Sequence, residues 1–448
     1  MEEKRNVSII LPPKVNYIIE TLQEHGFEAF AVGGCVRDSL LNRVPDDWDI
    51  TTSATPRQVK AVFNRTVDTG IQHGTVTVLV DKEGFEVTTY RIDGEYEDSR
   101  HPKEVLFSTD LTEDLKRRDF TINAMAYNDT VGLVDIFGGI EDLEQGIIRC
   151  VGEPGERFRE DALRIMRAVR FAAQLGFSID NHTMEAIKTL APTLQNISAE
   201  RIQTELVKLL VSKHPEHMRI LYETGITAVI LPEFDDMMQT KQHNPHHDKT
   251  VGEHTIRALQ NVPPTKVLRL AALFHDVAKP CTKHTDEQGI DHFYGHDVKG
   301  EQMSRQILKR LKFDNDTLYK VSGLVRFHDY RVLAEPKSVR RSIHKIGEDL
   351  YEDFLILNRA DILAQSDYQK AEKLTVLKDV EECYQNIMRK QECTSLKTLA
   401  VNGKDLMELG IEPGKHIGEC LNALLLLVLD NPQLNTREQL LKEAEKIK

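Results

Sequence analysis

The sequence predicts an α+β protein: a mixed sheet with helices over residues 1–150, followed by an all-helical remainder. Three observations carry that expectation. Before residue 150 short β-branched runs recur, such as Phe30-Ala31-Val32, Gly74-Thr75-Val76-Thr77-Val78-Leu79-Val80 and Phe85-Glu86-Val87-Thr88-Thr89-Tyr90, separated by Gly, Asp and Asn turns. Beyond it, apolar residues return at spacings of three and four, as in Ala162-Leu163-x-Ile165-Met166-x-x-Val169-x-Phe171-Ala172, without convincing alternation. The 448 residues, 40% hydrophobic and 29% charged, suit about two to four globular units. The expected divisions are 1–150, 151–245, 246–375 and 376–448. Joints are expected at Thr240–Asp248, at Asn261-Val262-Pro263-Pro264 and at the charged run Arg389–Glu392.

Composition narrows the function. The longest uninterrupted apolar run, Ala423–Leu429, is far short of the ~18 residues of a membrane span. The stretch Met1-Glu2-Glu3-Lys4-Arg5-Asn6 lacks a secretory apolar core. A cytoplasmic protein with no membrane partner is expected, and its six scattered cysteines are expected to be reduced. A net charge of -13 argues mildly against nucleic acid, although a local basic groove can still bind phosphates. No signal for oligomeric state is present.

The first chemical constellation begins at Gly33-Gly34, where a strand ends in paired glycines and a helix starts. Such a turn presents amide groups to an anion such as a triphosphate. Asp47 and Asp49 follow, two apart in a strand-like segment, so both carboxylates face one side and can share two Mg²⁺ ions.

With Gly33-Gly34-Cys35-Val36-Arg37-Asp38, Asp47-x-Asp49 and Thr69-Gly70-Ile71-Gln72-His73-Gly74-Thr75-Val76 in this order, the chain resembles class II tRNA nucleotidyltransferases, the CCA-adding enzymes within the DNA polymerase beta superfamily. Further motifs follow in sequence: Arg117-Arg118-Asp119-Phe120-Thr121-Ile122-Asn123-Ala124, then Asp135-Ile136-Phe137-Gly138-Gly139 with Asp142, Glu160-Asp161-x-x-Arg164, and Ser198-Ala199-Glu200-Arg201-Ile202 with Glu205-Leu206. The resemblance implies a DNA polymerase beta-like nucleotidyltransferase head, then an all-α neck, body and tail. It also implies Glu86 as a third catalytic acid, Asp119 on the ribose, and Gly33, Gly34, Arg37, Arg118 and Asn123 among the nucleotide-binding residues. The implied partners are tRNA, CTP and ATP.

Asp161 and Arg164, three apart on a helix, are expected to project from one face and read a base edge. The carboxylate accepts from the exocyclic amine of cytosine or adenine while the guanidinium donates to the adjacent ring acceptor. Guanine and uracil present the opposite pattern and leave polar groups unpaired. Arg167 and Arg170, on the same helical stretch as Arg157 and Arg159, are further candidates for nucleotide or phosphate contact, as are Lys337, Arg340, Arg341 and Lys345. The polar loop Asp93–Pro102 resembles the flexible loop of full CCA-adding enzymes.

In the helical half, Glu253-His254, Phe274-His275-Asp276-Val277-Ala278-Lys279 and Asn358-Arg359-Ala360-Asp361 bring imidazoles and carboxylates to successive helix ends. This resembles the HD phosphohydrolase motif, which implies His254, His275, Asp276 and Asp361 as candidate ligands of a divalent metal. His296 and His328 are weaker additions. The tail Val401–Gly418 has glycines about Pro413, and its relatives are read as gripping tRNA. The expected function is therefore addition of CCA to tRNA 3′ ends. The alternatives are a CC-adding, A-adding or poly(A)-adding relative, an HD phosphohydrolase or signalling protein, and an RNA-binding protein without catalysis.

Overall fold

The computed structural model describes residues 8–71, 74–93 and 105–447. It divides into two compact units, Met1–Pro232 and Glu233–Lys448. Most of the loop Asp93–Pro102, and Gln72 and His73 of the motif before Val76, lie outside the described residues.

Among the described residues, the first unit is built on a seven-stranded sheet: β1 (Ala29–Val32), β2 (Ile50–Thr52), β3 (Thr66–Gly70), β4 (Thr75–Val80), β5 (Glu83–Thr89), β6 (Met125–Asn128) and β7 (Gly132–Asp135), in the order β3-β4-β5-β2-β1-β6-β7. β2 and β5 run parallel and the other neighbours antiparallel, so the sheet is mixed as expected. Period-two alternation buries Val76 and Val78 of β4 with Phe85 and Val87 of β5, and turns Glu86 outward. Helix α1 (Pro13–Glu24) starts on Pro13, whose fixed φ suits a first turn, and buries Val15, Ile18, Ile19 and Leu22 at helical spacing. Helix α2 (Gly34–Leu40) follows β1. Helix α3 (Leu111–Lys116) is capped by Asp110, which accepts from the Thr112 amide, and packs Leu111 and Leu115 on Phe30, Val32 and Tyr90. The helices α4 (Pro154–Glu160), α5 (Leu163–Leu175) and α6 (Ala199–Leu210) complete the parts of this unit used below.

One expectation is corrected here. The stretch from Arg157 to Arg170 is two helices, because Asp161 breaks the run with φ -143 and ψ 103. Its side chain accepts instead from the Leu163 amide at 3.0 Å, opening the next helix.

The second unit is helical: α7 (Val251–Gln260), α8 (Lys266–Phe274), α9 (His296–Arg310), α10 (Asn315–Phe327), α11 (Pro336–Ile346), α12 (Glu348–Ala364), α13 (Lys370–Arg389) and α14 (Lys415–Asp430). Thr250, Thr265 and Asp314 cap α7, α8 and α10 by accepting from backbone amides three residues on. A two-stranded ladder, His284–Thr285 with Asp291–His292, interrupts the helices, and another, Ile147–Ile148 with Ser178–Ile179, lies in the first unit. The tail closes its own apolar cluster around Leu406, Leu424, Leu425, Val428, Leu429 and Leu440.

The basic run on α11 makes contacts within this unit. Arg340 is buried and donates to the Leu429 carbonyl at 2.7 Å, to the Asp430 carbonyl at 3.3 Å and to Glu392 at 2.7 Å. Lys337 and Arg341 both pair with Asp430, and Lys345 lies 4.3 Å from the Tyr330 ring centroid. The run ties the tail to α11. All six cysteines are free thiols, and no helix among the described residues is long and apolar enough to cross a membrane.

Candidate active site and a buried histidine cluster

The head site is assembled where β1 ends. The Val32 amide donates to the Asp49 carbonyl at 3.0 Å, fixing the acidic segment just ahead of β2 beside the strand terminus. β2 pairs in parallel with β5 at Ile50 and Val87. One residue back in each strand, Asp49 and Glu86 are neighbours. Gly33 has φ 83, a conformation that disfavours side chains, and an added Cβ would stand 2.9 Å from Arg118 Nη1. The absence of a side chain thus lets Arg118 lie against the turn.

Asp47, Asp49 and Glu86 all open to solvent. Crowding of Asp49 by its surroundings and the negative charge of Asp47, then of Glu86, raise its carboxyl above the usual range, and Arg118 opposes them. Asp47, Asp49, Glu86, Gly33 and Arg118 are therefore brought together. Two carboxylates offering hard oxygens, one of them disfavoured as a bare anion, suit a divalent cation.

Arg118 is itself held by a residue that the sequence reading passed over. Asp114 on α3 is fully buried, accepts from Arg117 Nη2 at 2.7 Å, Arg118 Nη2 at 3.3 Å and Thr51 Oγ1 at 3.1 Å, and so ties α3 to β2. Burial alone would raise its pKa, but the guanidiniums of Arg118 and Arg117 hold it below the usual carboxylate range. The signal was available: an acid on a helix, four residues before Arg118, which follows the helix end. Asp119 is also buried and accepts from Arg167 Nε at 2.7 Å, Asn123 Nδ2 at 3.3 Å and the Phe120 amide at 2.9 Å. Against the effect of burial, Arg167 and Arg164 hold its carboxyl low.

Arg37 donates to Asn123 Oδ1 at 2.6 Å and to Asp38 at 3.0 Å and 2.8 Å. Arg170 is buried, pairs with Glu205 at 2.5 Å and lies 3.7 Å from the Phe171 ring centroid. Burial pushes its guanidinium down to about 10. Arg37, Asn123 and Arg170 thus make contacts within the protein's own framework, while Gly34 begins α2 behind Gly33.

Asp161 and Arg164 meet at the α4–α5 junction rather than along one helix, with the Arg164 amide donating to the Asp161 carbonyl at 3.0 Å. Arg201 of α6 donates to Asp161 at 2.7 Å and 3.2 Å. Arg164 pairs with Glu160 and donates to the carbonyls of Arg157 and Arg117, each at 3.1 Å. Both candidate base readers are oriented from behind by partners.

In the second unit, His254 on α7, His275 and Asp276 just past α8, His296 opening α9, His328 ending α10 and Asp361 on α12 converge. His254 Nε2 lies 2.8 Å from Asp361 Oδ1 and 3.2 Å from His275 Nε2, which is 3.3 Å from Asp276 Oδ2. His296 Nε2 lies 3.1 Å from His328 Nε2, which is 3.5 Å from Asp276 Oδ1. His247, from the expected joint, packs on His254 with ring centroids 4.8 Å apart, and burial pushes its imidazole down to about 2. Among the described residues, triads of donor atoms within 4.8 Å of one another occur at His254, His275 and Asp276 and at Asp276, His296 and His328.

Three family models match the chain: the Poly A polymerase head domain over residues 29–149, the probable RNA and SrmB-binding site of polymerase A over 176–238, and tRNA nucleotidyltransferase domain 2 over 286–444. The CCA-adding enzyme of Limosilactobacillus reuteri is 35% identical over 432 residues, covering 96% of this chain and 95% of that one. The crystal structure of the Bacillus stearothermophilus CCA-adding enzyme in complex with CTP superposes with a TM-score of 0.71 at 29% identity, covering 98% of this chain and 99% of that one. The Thermotoga maritima CCA-adding enzyme complexed with tRNA shares the fold, with a TM-score of 0.60 at 20% identity over 98% and 97% of the two chains.

Proposed function

The chain belongs to the family of CCA-adding enzymes, and on that footing we propose that it extends tRNA 3′ ends with C, C and A, taking CTP and then ATP without a nucleic-acid template. The observation that carries this reading is the meeting of Asp47, Asp49 and Glu86 with Arg118 at the Gly33 turn, in a chain that matches its relatives almost end to end.

Residues 1–150 serve as the catalytic head, 151–245 as neck and body with the base template, 246–375 as an HD-type helical domain and 376–448 as the tail. The setting is the cytoplasm. Asp47 and Asp49 would hold Mg²⁺ with Glu86 beside them. Bound there, the metal would supply Lewis acidity that lowers the pKa of the terminal RNA hydroxyl and would neutralise charge on the triphosphate. Gly33 and Gly34 leave room for the phosphates, and Arg118, braced by Asp114, balances their charge. Asp119, fixed by Arg167 and Asn123, is positioned to accept from the ribose.

Asp161 and Arg164 select the base. Arg201 and Glu160 hold the carboxylate and guanidinium in place, so their remaining lone pairs and N–H groups are aimed before the base arrives. Cytosine and adenine satisfy both, whereas uracil and guanine leave each facing its own kind.

The deciding experiment incubates the purified chain with Mg²⁺, labelled CTP or ATP, and tRNA transcripts ending before CCA, after C and after CC. Stepwise growth to CCA is expected. Incorporation of A alone, onto the CC-ended transcript only, would reduce the activity to A addition.

The cluster in the second unit supports a separate reading: His254, His275, Asp276 and Asp361 hold a divalent cation. The observation favouring it is Asp276, which is buried with Oδ1 lacking a hydrogen-bond partner and Oδ2 met by the Lys279 ammonium at 2.8 Å.

A further inference from the structure

We propose that Arg157 is a positioning residue of the base template, which sets the choice of nucleotide by docking Glu160 and Arg164 onto the C-terminal end of α3. The inference rests on the reading that Asp161 and Arg164 select the base, and adds the part that fixes where this selection happens relative to the phosphates.

Two guanidiniums and one carboxylate close a ring against a helix end. Arg157 on α4 pairs with Glu160 Oε1, and Arg164 on α5 pairs with Glu160 Oε2. On the far side, Arg157 Nη1 donates to the Lys116 carbonyl at 3.3 Å and Arg164 Nη2 donates to the Arg117 carbonyl at 3.1 Å. Arg164 Nη1 also donates to the Arg157 carbonyl at 3.1 Å. Lys116 ends α3 and Arg117 follows it, so their carbonyls belong to the group that a helix leaves without donors from its own backbone. Positive charge is favoured at that end of a helix. Both arginines thus cap α3 with their side chains.

Burial separates this ring from a surface ion pair. The side chains of Arg157, Glu160 and Arg164 are 16%, 19% and 12% exposed, so removing Arg157 leaves a largely desolvated carboxylate oxygen and a carbonyl short of a donor. A lysine is a poor replacement. Its single ammonium lacks the planar fork that meets a carboxylate and a carbonyl in different directions.

The neighbours of this helix end give the ring its consequence. Asp114, one turn earlier, accepts from Arg118, which lies against the Gly33 turn. Asp119 accepts from Arg167, one turn after Arg164 on α5. Residues 114–119 therefore carry the brace for the arginine that balances the triphosphate, the acid that meets the ribose, and the two carbonyls on which the base reader is docked. One uninterrupted stretch of backbone sets the distance from phosphate to base. A guanidinium free to swing could move away from the N–H of uracil or let water reach it, whereas a docked one leaves the mismatch unpaired. Arg157 supplies the docking, because it ties the second oxygen of Glu160 to fixed backbone.

Arg157 is also a candidate for phosphate contact with RNA, and the test separates the two roles. It compares kcat/KM for CTP and for UTP, and KM for a tRNA transcript ending before CCA, in the full chain and in Arg157→Ala, Arg157→Lys, Arg164→Ala and the double variant Arg157→Ala with Arg164→Ala. Melting curves confirm that each is folded; should Arg157→Ala melt below the assay temperature, Arg157→Lys carries the same comparison. Arg157→Ala should lower the preference for CTP over UTP about tenfold, less than Arg164→Ala does, and leave KM for tRNA unchanged. Arg157→Lys should not restore the preference. The double variant should discriminate no worse than Arg164→Ala alone, because Arg157 acts through Arg164. An undiminished preference in Arg157→Ala overturns the proposal and leaves Arg164 as the reader, and so does an additive loss in the double variant. A raised KM for tRNA, a weaker dependence on salt and full recovery in Arg157→Lys would make Arg157 a phosphate contact instead. If Arg164→Ala itself leaves the preference intact, the base-reading assignment falls and the proposal with it.

Discussion

The acids of the head and the cluster of the C-terminal unit draw on similar side-chain chemistry but differ in completeness. Asp47, Asp49 and Glu86 open to solvent and form no closed triad of donors, whereas His254, His275 and Asp276 are buried with donor atoms in mutual reach. An open pair of carboxylates leaves most of a cation's coordination to water and substrate, so the proposed head cation arrives with its nucleotide and leaves with its product. A cage of imidazoles supplies its own ligands, and the cation proposed there would be a resident. The physical difference is burial: a carboxylate in water tolerates an unfilled site, and one sealed from water does not.

The largest effect that could break this contrast is Asp47→Ala. Loss of one of two cation-holding acids should cut nucleotide addition by at least about a thousandfold, read as labelled nucleotide incorporated. When the full chain is loaded with Mn²⁺ and desalted, the amount of metal retained should not change. Retained addition would remove Asp47 from the site, and a fall in retained metal would show that the resident ion sits in the head.

The next tests the framework behind the open site. Asp114→Ala leaves Arg117 and Arg118 without their buried partner and should destabilise the first unit by about 3 kcal/mol in urea titration. Asp114→Asn adds a pH signature. A carboxyl held low when folded contributes stability that is fully present above its unfolded value of about 3.9 and is lost as pH falls through the folded value. The stability gap between Asp114 and its Asn variant should therefore narrow below about pH 4. A gap constant into acid would mean that the arginines do not hold this charge.

Arg164→Ala tests whether a residue oriented from behind reads the base in front. Discrimination of CTP over UTP should fall by about a hundredfold, since uracil would no longer meet an unsatisfied guanidinium. Unchanged selectivity would reduce Arg164 to a structural tie between Glu160 and the carbonyls of Arg117 and Arg157.

The sequence made the fold class legible because alternation and helical spacing are local signals. Asp49 beside Glu86 is the product of strand pairing, which no local pattern carries, and only the resemblance brought Glu86 forward. The helix drawn through Asp161 failed because the carboxylate of Asp161 captures the Leu163 amide, a competition that apolar periodicity does not register. In the cluster, a His-Asp dipeptide was visible, but His296 and His328 were underweighted. Their convergence depends on helix ends meeting in space, and the carbonyl bonds that orient them are invisible in composition.

The rule that burial decides a charged residue's part also operates between neighbours. Arg340 and Arg341 read alike in sequence, as members of one basic run. Arg340 is 4% exposed and anchored to Leu429, Asp430 and Glu392, while Arg341 meets Asp430 in solvent. Arg340→Ala should cost about 3 kcal/mol in denaturant titration, because Glu392 and two carbonyls lose their donor in a protected place. Arg341→Ala should cost less than about 1 kcal/mol, since an exposed pair gains little over hydration and is screened by salt. Raising the salt to 1 M should erase the smaller effect and leave the larger one. Equal costs for the two would show that contact with the tail, not exclusion of water, sets the value of each arginine.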